Sequence, residues 1–530
     1  MNALYKFLNN LEVIDIVNVF SLTICFYLFR FYYKHFTRAN PLPGPLPIPL
    51  IGTFEIFRAH IDIDAWFYKL TKQYGQNGIF ELNLIGNRQI VITRAEHVNK
   101  FMSPPSEENH RKHLMRTANN GLLDVFDLEF KGVGLNHNYN FWRFNRQIFS
   151  HAIKTACLSD ETVKIVNKLF EEMTNHWMDL RKPNENSAIV DSAAWMRRFT
   201  NDFISVITTG NRTFAIKNYH HKLKTNEVTE EIMESEEFVE CISTFFDDNQ
   251  MIFIPKLLRP FPLISGRVNK MVNTLDYVYK RLVERIRKRR KEVEKLANTS
   301  NFDPSQLKND LLTSMVVANT PYETTPQKNV DPSLLRPMTD DEIRGIMFDA
   351  FAAGTDTKLL EEIETVFRDD PNRPLTMEDL NKLRYCEAII KETSRIRPTV
   401  SMVSRFLDQT DEIAGYKWPS DLLFIMYVRG INNNPLYWKD PDTFNPDRFY
   451  DLSSVENQHK FAFSMFGGGV RTCLGRNLAM MEMKILLASL YRKFDVELVD
   501  MKAPLDVRTS TVTICKHLDV RIIPKYQNTQ

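Results

Sequence analysis

Closely spaced cysteines are missing from this 530-residue chain. Its six cysteines, Cys25, Cys157, Cys241, Cys386, Cys473 and Cys515, stand far apart, with no CxxC pair. That excludes a disulfide scaffold and a cysteine-built structural zinc site, and fits a reducing compartment. No HExxH or similar histidine spacing is present, so a bound metal draws very few ligands from the protein. An excess of one charge is missing too. The formal net charge is only +2, which gives no case for a nucleic-acid partner. The local exception, "ERIRKRRKEVEK" at 284–295, reads as one solvated helix face. No internal repeat occurs. What is there is an ordinary globular composition, 43% hydrophobic and 25% charged, which excludes disorder as the default.

The N-terminus is apolar. Residues 13–33 are long enough for a bilayer core at about 1.5 Å per residue. Asp15 and Asn18 weaken the span. Arg30, Lys34, His35 and Arg38 follow it, where positive charge marks the cytosolic side. No small-residue cleavage site follows. The reading is a single-pass membrane anchor with a basic flank (1–40), a stiff proline-rich hinge "PLPGPLPIPLIG" (41–52) and a cytosolic catalytic domain (53–530). Most of the remainder has helical periodicity. Residues 79–93 read as a β-hairpin around Gly86-Asn87. "LLFIMYV" (422–428) and "LDVRII" (518–523) read as strands. Residues 300–338 read as a surface loop around the short apolar "DLLTSMVV".

The chemistry concentrates in "FSMFGGGVRTCLGRNLAMMEMKILLASL" (463–490). Gly467, Gly468 and Gly469 permit a tight turn and close approach to a flat group. Cys473 precedes a helix start, whose free N–H groups and positive dipole end favour a thiolate. Arg471 adds positive charge. On these grounds Cys473 is a nucleophile, a metal ligand or a buried structural cysteine. A phosphate loop fails because GK[ST] is absent, and a dinucleotide loop fails because Thr472 stands where the third glycine belongs.

The run from Phe466 to Gly475 fits FxxGxRxCxG. It resembles the haem-binding loop of the cytochrome P-450 haem-thiolate monooxygenases. The resemblance implies that Cys473 gives haem iron its axial thiolate, with electron push toward O–O cleavage. It implies that Arg471 meets a haem propionate, Phe466 packs by the sulfur, and Gly475 lets helix and macrocycle approach. "KETSR" carries Glu392 and Arg395, which share a helix face. With Arg448 of "FNPDRF" they match the family's structural triad. "WRFNR" places Trp142 and Arg146 at a propionate, and Arg405 matches a further propionate arginine. "FDAFAAGTDTK" (348–358) resembles the oxygen-activating helix. Gly354 leaves room over the iron, and Asp356 and Thr357 relay protons. Thr339 and Glu342 form a capping box at its start.

The resemblance therefore implies a mostly α fold with small β-sheets, the cytochrome P-450 fold, behind an N-terminal anchor helix. It implies haem b, O2, a small apolar substrate and an NADPH-dependent flavoprotein reductase at the endoplasmic reticulum membrane. The reductase docks on the Cys473 face, with Arg146 and Lys484 as contacts. Phe348, Phe351, Val400, Met402, Val403 and Val512 match regions that line the substrate pocket.

One departure stands out. The apolar stripe Ile343, Ile346, Met347, Ala350, Phe351, Gly354 predicts apolar residues at 357–358 and 361. Thr357, Lys358 and Glu361 stand there instead. The apolar set resumes about two residues out of step, roughly half a turn. The segment after Thr357 is also shorter than in the family, which reads as an internal deletion; a naturally short variant is the alternative. A haem-binding but impaired variant is then the alternative function.

Overall fold

The computed structural model describes residues 13–49, 52–53, 62–84, 87–102, 122–127, 131–136, 138–157, 159–227, 229–248, 251–252, 254, 256–299, 302–323, 335–349, 373–407, 409–450, 459–509 and 512–525. Gly354, Asp356, Thr357, Phe351 and the out-of-step junction lie outside them.

The fold is mostly helical with small sheets. The helices are α1 (Val13–Phe36), α2 (Ile63–Tyr74), α3 (Ala95–Met102), α4 (Tyr139–Ala152), α5 (Asp160–Asp179) and α6 (Ser192–Thr209). Then come α7 (Ala215–Thr225), α8 (Glu230–Asp248), α9 (Pro262–Ala297), α10 (Leu311–Val317) and α11 (Asp340–Asp349). The C-terminal part holds α12 (Met377–Lys382), α13 (Arg384–Ile396), α14 (Val428–Asn432), α15 (Asp447–Tyr450) and α16 (Arg476–Lys493).

The expected hairpin forms as β1 (Ile79–Leu84) and β2 (Asn87–Ile92), antiparallel, with Leu84 opposite Asn87. Of the later strands, β3 is Ala188–Asp191, β4 Met402–Phe406, β5 Asp411–Ile413, β6 Tyr416–Trp418 and β7 Leu423–Tyr427. The C-terminal strands are β8 (Phe494–Leu498), β9 (Asp506–Thr509), β10 (Thr513–His517) and β11 (Asp519–Pro524). Strand β7 joins the hairpin in the order β1-β2-β7-β4, parallel to β2. Its Phe424, Met426 and Tyr427 are fully buried, as a continuous apolar run bounded by polar residues predicts. Strand β11 pairs with both β3 and β8.

The capping box at α11 is present. The Thr339 N–H donates to Glu342 Oε2 at 2.9 Å, and the Glu342 N–H to Thr339 Oγ1 at 3.3 Å. Ile343, Ile346 and Met347 are fully buried, as their spacing predicts. The basic run lies in α9, but it is not wholly solvated. Arg289 is buried and reaches Asp310 Oδ2 at 2.6 Å, the N-cap of α10. Arg290 pairs with Asp340 at 2.5 Å. These two cations sit at the starts of α10 and α11, where carboxylates gather at the positive end of the helix.

Helix α1 has 24 residues, and Val17, Phe20, Leu22, Phe26 and Phe29 stand exposed on it. Among the described residues, however, no helix is long and apolar enough to cross a membrane. Asp15 and Asn18 lie near one end of its apolar stretch, and Arg30 and Lys34 near the other. The segment after the helix is tied to the sheet. Arg38 Nη2 lies 2.6 Å from Glu81 Oε1, and Arg88 Nε donates to Glu81 Oε2 at 2.9 Å. Arg88 Nη1 also holds the Ala39 carbonyl at 2.7 Å, and the Glu81 N–H donates to the Pro43 carbonyl at 2.9 Å.

Candidate active site

The glycines before Cys473 do two different jobs. Gly467 and Gly469 have φ of +71° and +61°, where a Cβ is strained. Gly468 instead lies against α3. A Cβ there would sit 2.8 Å from Met102 Cβ and 3.2 Å from the Met102 carbonyl oxygen. The loop closes where the Cys473 N–H donates to the Phe466 carbonyl at 2.9 Å. The Thr472 hydroxyl folds back onto the Gly469 carbonyl at 2.8 Å. Cys473 is exposed, and Gly475 is the N-cap of α16. A Cβ on Gly475 would stand 3.9 Å from Cys473 Sγ, an ordinary contact. The sulfur alone therefore does not demand glycine there. Phe466 is partly buried against the main core.

Helix α4 brings two predicted residues to this loop. Asn138 caps it, accepting from the N–H groups of Asn140 and Phe141. The buried Trp142 ring lies under Arg471, whose guanidinium carbon is 4.5 Å from the ring centroid. Arg146 stands over the same ring at 5.4 Å, and its Nη2 donates to the Thr472 carbonyl at 2.8 Å. Trp142, Arg146, Arg471 and Cys473 thus belong to one cluster. Arg405 is buried in β4, where its Nη1 donates to the Ser404 carbonyl at 2.8 Å.

One detail tests whether this cluster suits an anionic group. Trp142 Nε1 is buried and has no hydrogen-bond partner among the described residues. An unmatched indole donor beside two guanidinium groups suits a carboxylate acceptor. The residues fit a carboxylate-bearing group set against an exposed thiol.

The triad assembles as expected. Glu392 and Arg395 are completely buried on α13, with Oε2–Nε at 2.7 Å and Oε1–Nη2 at 2.9 Å. Arg448 Nε approaches Glu392 Oε1 at 3.5 Å, and the Asn445 N–H donates to the same oxygen at 2.9 Å. Arg395 Nη1 reaches on to the Asn432 carbonyl at 3.1 Å. The Ser464 N–H lies 3.4 Å from Asn432 Oδ1, so the triad is tied to the start of the cysteine loop.

One expectation needs correction. Lys484 is buried, donating to the Leu380 carbonyl at 3.1 Å and meeting Glu387 at 2.6 Å. It is an internal tie rather than a docking cation, because its stem lies on the inward face of α16. Burial raises the Glu387 pKa, but hydrogen bonds from Lys391 and Lys484 outweigh it and bring it down to about 2. Phe348 is buried among Phe245 and Tyr279, with ring centroids 4.7 and 5.6 Å away. It is packed into an aromatic cluster. Val400 is exposed, and Met402, Val403 and Val512 are half-buried.

Sequence reasoning missed the segment at 131–136 and its partner Asp349. The signals were present: a Gly-Val-Gly triplet just before the Trp142 helix, and an acid, Asp349, interrupting the apolar run at 346–353.

The site fits a protein that holds a carboxylate-bearing group beside a cysteine thiol. The chain matches the family described as Cytochrome P450 in two stretches, 42–358 and 357–520, which meet at the out-of-step junction. It is 25% identical over 522 residues to tabersonine 6,7-epoxidase isoform 2 of Catharanthus roseus, covering 92% of this chain and 93% of that protein. A shorter stretch of 140 residues is 37% identical to cytochrome P450 4V2 of Rattus norvegicus, covering 26% of each. Among solved structures, the cytochrome P450DA heme domain superposes with a TM-score of 0.69 at 17% identity, covering 92% of this chain and 99% of that one. The chain belongs to the cytochrome P450 family of monooxygenases, whose members bind haem b and use O2, an organic substrate and a redox partner.

Proposed function

We propose that the protein inserts one oxygen atom from O2 into a small apolar substrate, and that the Cys473 thiolate would hold the haem iron. The observation that carries this is the exposed Cys473 thiol at the start of α16, beside the orphaned Trp142 indole and the Arg146–Arg471 pair. Trp142, Arg146, Arg405 and Arg471 would hold the two propionates. Phe466 would pack by the sulfur, and Gly475 would admit the macrocycle. The haem, when bound, supplies oxygen activation. Gly354 would leave space for oxygen. The Asp356 carboxylate and the Thr357 Oγ1 hydroxyl would hold and pass protons.

The name of the epoxidase relative supports oxygenation of an organic substrate. The proposed electron donor is an NADPH-dependent flavoprotein reductase. The exposed apolar side chains of α1 support attachment to a membrane, with the catalytic domain on the cytosolic face of the endoplasmic reticulum. The meeting of the two family stretches at Thr357 and Lys358 supports a shortened segment there. Genomic sequence around the Thr357 codon tests whether coding sequence was skipped.

The test of function uses the full chain loaded with haem. Its reduced, CO-bound spectrum should show the red-shifted Soret band of a thiolate ligand, and turnover should require reductase and NADPH. Cys473→His should abolish both. A Cys473→His protein with unchanged spectrum and turnover overturns the proposal. A thiolate band without turnover on any apolar substrate identifies the impaired variant.

A further inference from the structure

Asp349, at the end of α11, and Arg471, in the cysteine loop, meet opposite sides of one peptide group. Asp349 Oδ2 accepts the Gly134 N–H at 2.9 Å and the Val133 N–H at 2.7 Å. The carbonyl of that same Val133–Gly134 peptide accepts Arg471 Nη1 at 2.9 Å. Arg471 Nη2 closes a second bond on the Asn136 carbonyl at 2.5 Å. An anion on the N–H side and a cation on the C=O side polarise the peptide in the same sense. Each bond strengthens the other in such a chain.

The segment that carries this peptide is pinned on every side described. Gly132 has φ +65°, and a Cβ on it would lie 2.8 Å from the Gly345 carbonyl oxygen of α11. A Cβ on Gly345 would lie 2.4 Å from Gly132 N. Two backbones therefore touch directly. The Gly132 carbonyl accepts Asn145 Nδ2 at 3.0 Å, from the helix that carries Trp142 and Arg146. Arg344, buried on α11, pairs with Asp127 at 2.6 Å just before the segment.

We infer that Asp349 is a positioning residue whose charge acts on Arg471 through the Val133–Gly134 peptide, fixing the cysteine loop and setting the charge felt beside Cys473. The inference rests on the haem-thiolate reading of Cys473 given above. It assigns the 131–136 segment a role as rigid coupling between α11 and the thiolate loop. Asp349 touches no reacting atom in this account. It acts through Arg471, two residues from the sulfur.

The experiment compares wild type, Asp349→Asn, Arg471→Lys and the double variant, each as the full chain loaded with haem. Reduction potential is followed by spectroelectrochemistry, and haem loss by transfer to apomyoglobin. Asparagine removes the negative charge while its Oδ1 can still accept the Val133 and Gly134 N–H groups, which share one oxygen in Asp349. Asp349→Asn should therefore raise the potential, because the uncompensated guanidinium favours the reduced site. Haem loss should quicken several-fold. In the Arg471→Lys background the same change should have a much smaller effect, since both act along one path. Unchanged potential and haem release in Asp349→Asn, or effects that simply add, overturn the inference and leave Asp349 as a plain loop cap.

Should Asp349→Asn fail to fold, hydrogen exchange on wild type and Arg471→Lys decides. Faster exchange across both 131–136 and 469–475 in the variant supports the coupling, and change confined to 469–475 refutes it. Failure of the haem-thiolate reading itself looks different: Cys473→His would then keep the wild-type spectrum whatever Asp349 does.

Discussion

Replacing Glu392 by alanine should be among the most damaging single changes in the chain. Glu392 and Arg395 are both completely inaccessible to water. Removing the carboxylate strands a buried guanidinium. It also takes the acceptor from the Asn445 N–H and the carboxylate from Arg448, which keeps its bond to the Asp440 carbonyl. Breaking a buried pair from one side costs about 3–5 kcal/mol, a large part of the roughly 5–15 kcal/mol that holds a protein folded. At the lower figure the folded-to-unfolded ratio falls more than about 100-fold. Arg448→Met should cost less, about 1–2 kcal/mol, because its contact with Glu392 is longer and the main further loss is its bonds to backbone carbonyls such as that of Asp440. Replacing Glu392 and Arg395 together by leucine removes both charges and should recover part of the loss. The assay is urea unfolding of the full chain, followed by circular dichroism and by tryptophan fluorescence. Midpoints are compared among variants, as suits a chain of this size. A Glu392→Ala midpoint equal to wild type, or a smaller shift than Arg448→Met gives, refutes the reasoning.

Two further outcomes follow from particular contacts. Gly468→Ala should push the cysteine loop off α3, since its new Cβ meets Met102 Cβ at 2.8 Å; the haem-loaded variant should lose much of its thiolate Soret intensity, and a coincident wild-type spectrum speaks against this packing. Glu387, lowered to about 2 against an ordinary value near 4.5, contributes stability that is present above the unfolded value and lost as pH falls toward 2. Urea midpoints between pH 6 and pH 3 should therefore drop more in wild type than in Lys484→Met, which has already lost part of that contribution; equal slopes would count against the Lys484 tie.

Local signals made much of this legible. The hairpin at β1 and β2, the strand β7 and the capping box at Thr339 each rest on residues adjacent in sequence. Glu392 and Arg395 are one helical turn apart, so their pairing needs no tertiary knowledge. The failures came where orientation is set by packing. Lys484 is an ordinary surface cation by type, and only the seating of α16 against α12 and α13 turns it inward. Arg289 looked like part of a solvated face until Asp310 was placed beside it. Asp349 and the Val133–Gly134 peptide are more than 200 positions apart, and no spacing rule connects them.

The knot of Arg38, Arg88 and Glu81 hangs on one side chain. Arg38, two residues past the end of α1, and Arg88 share the one carboxylate of Glu81 in β1. Loosening Glu81 would therefore release the chain between α1 and the sheet from both cations together.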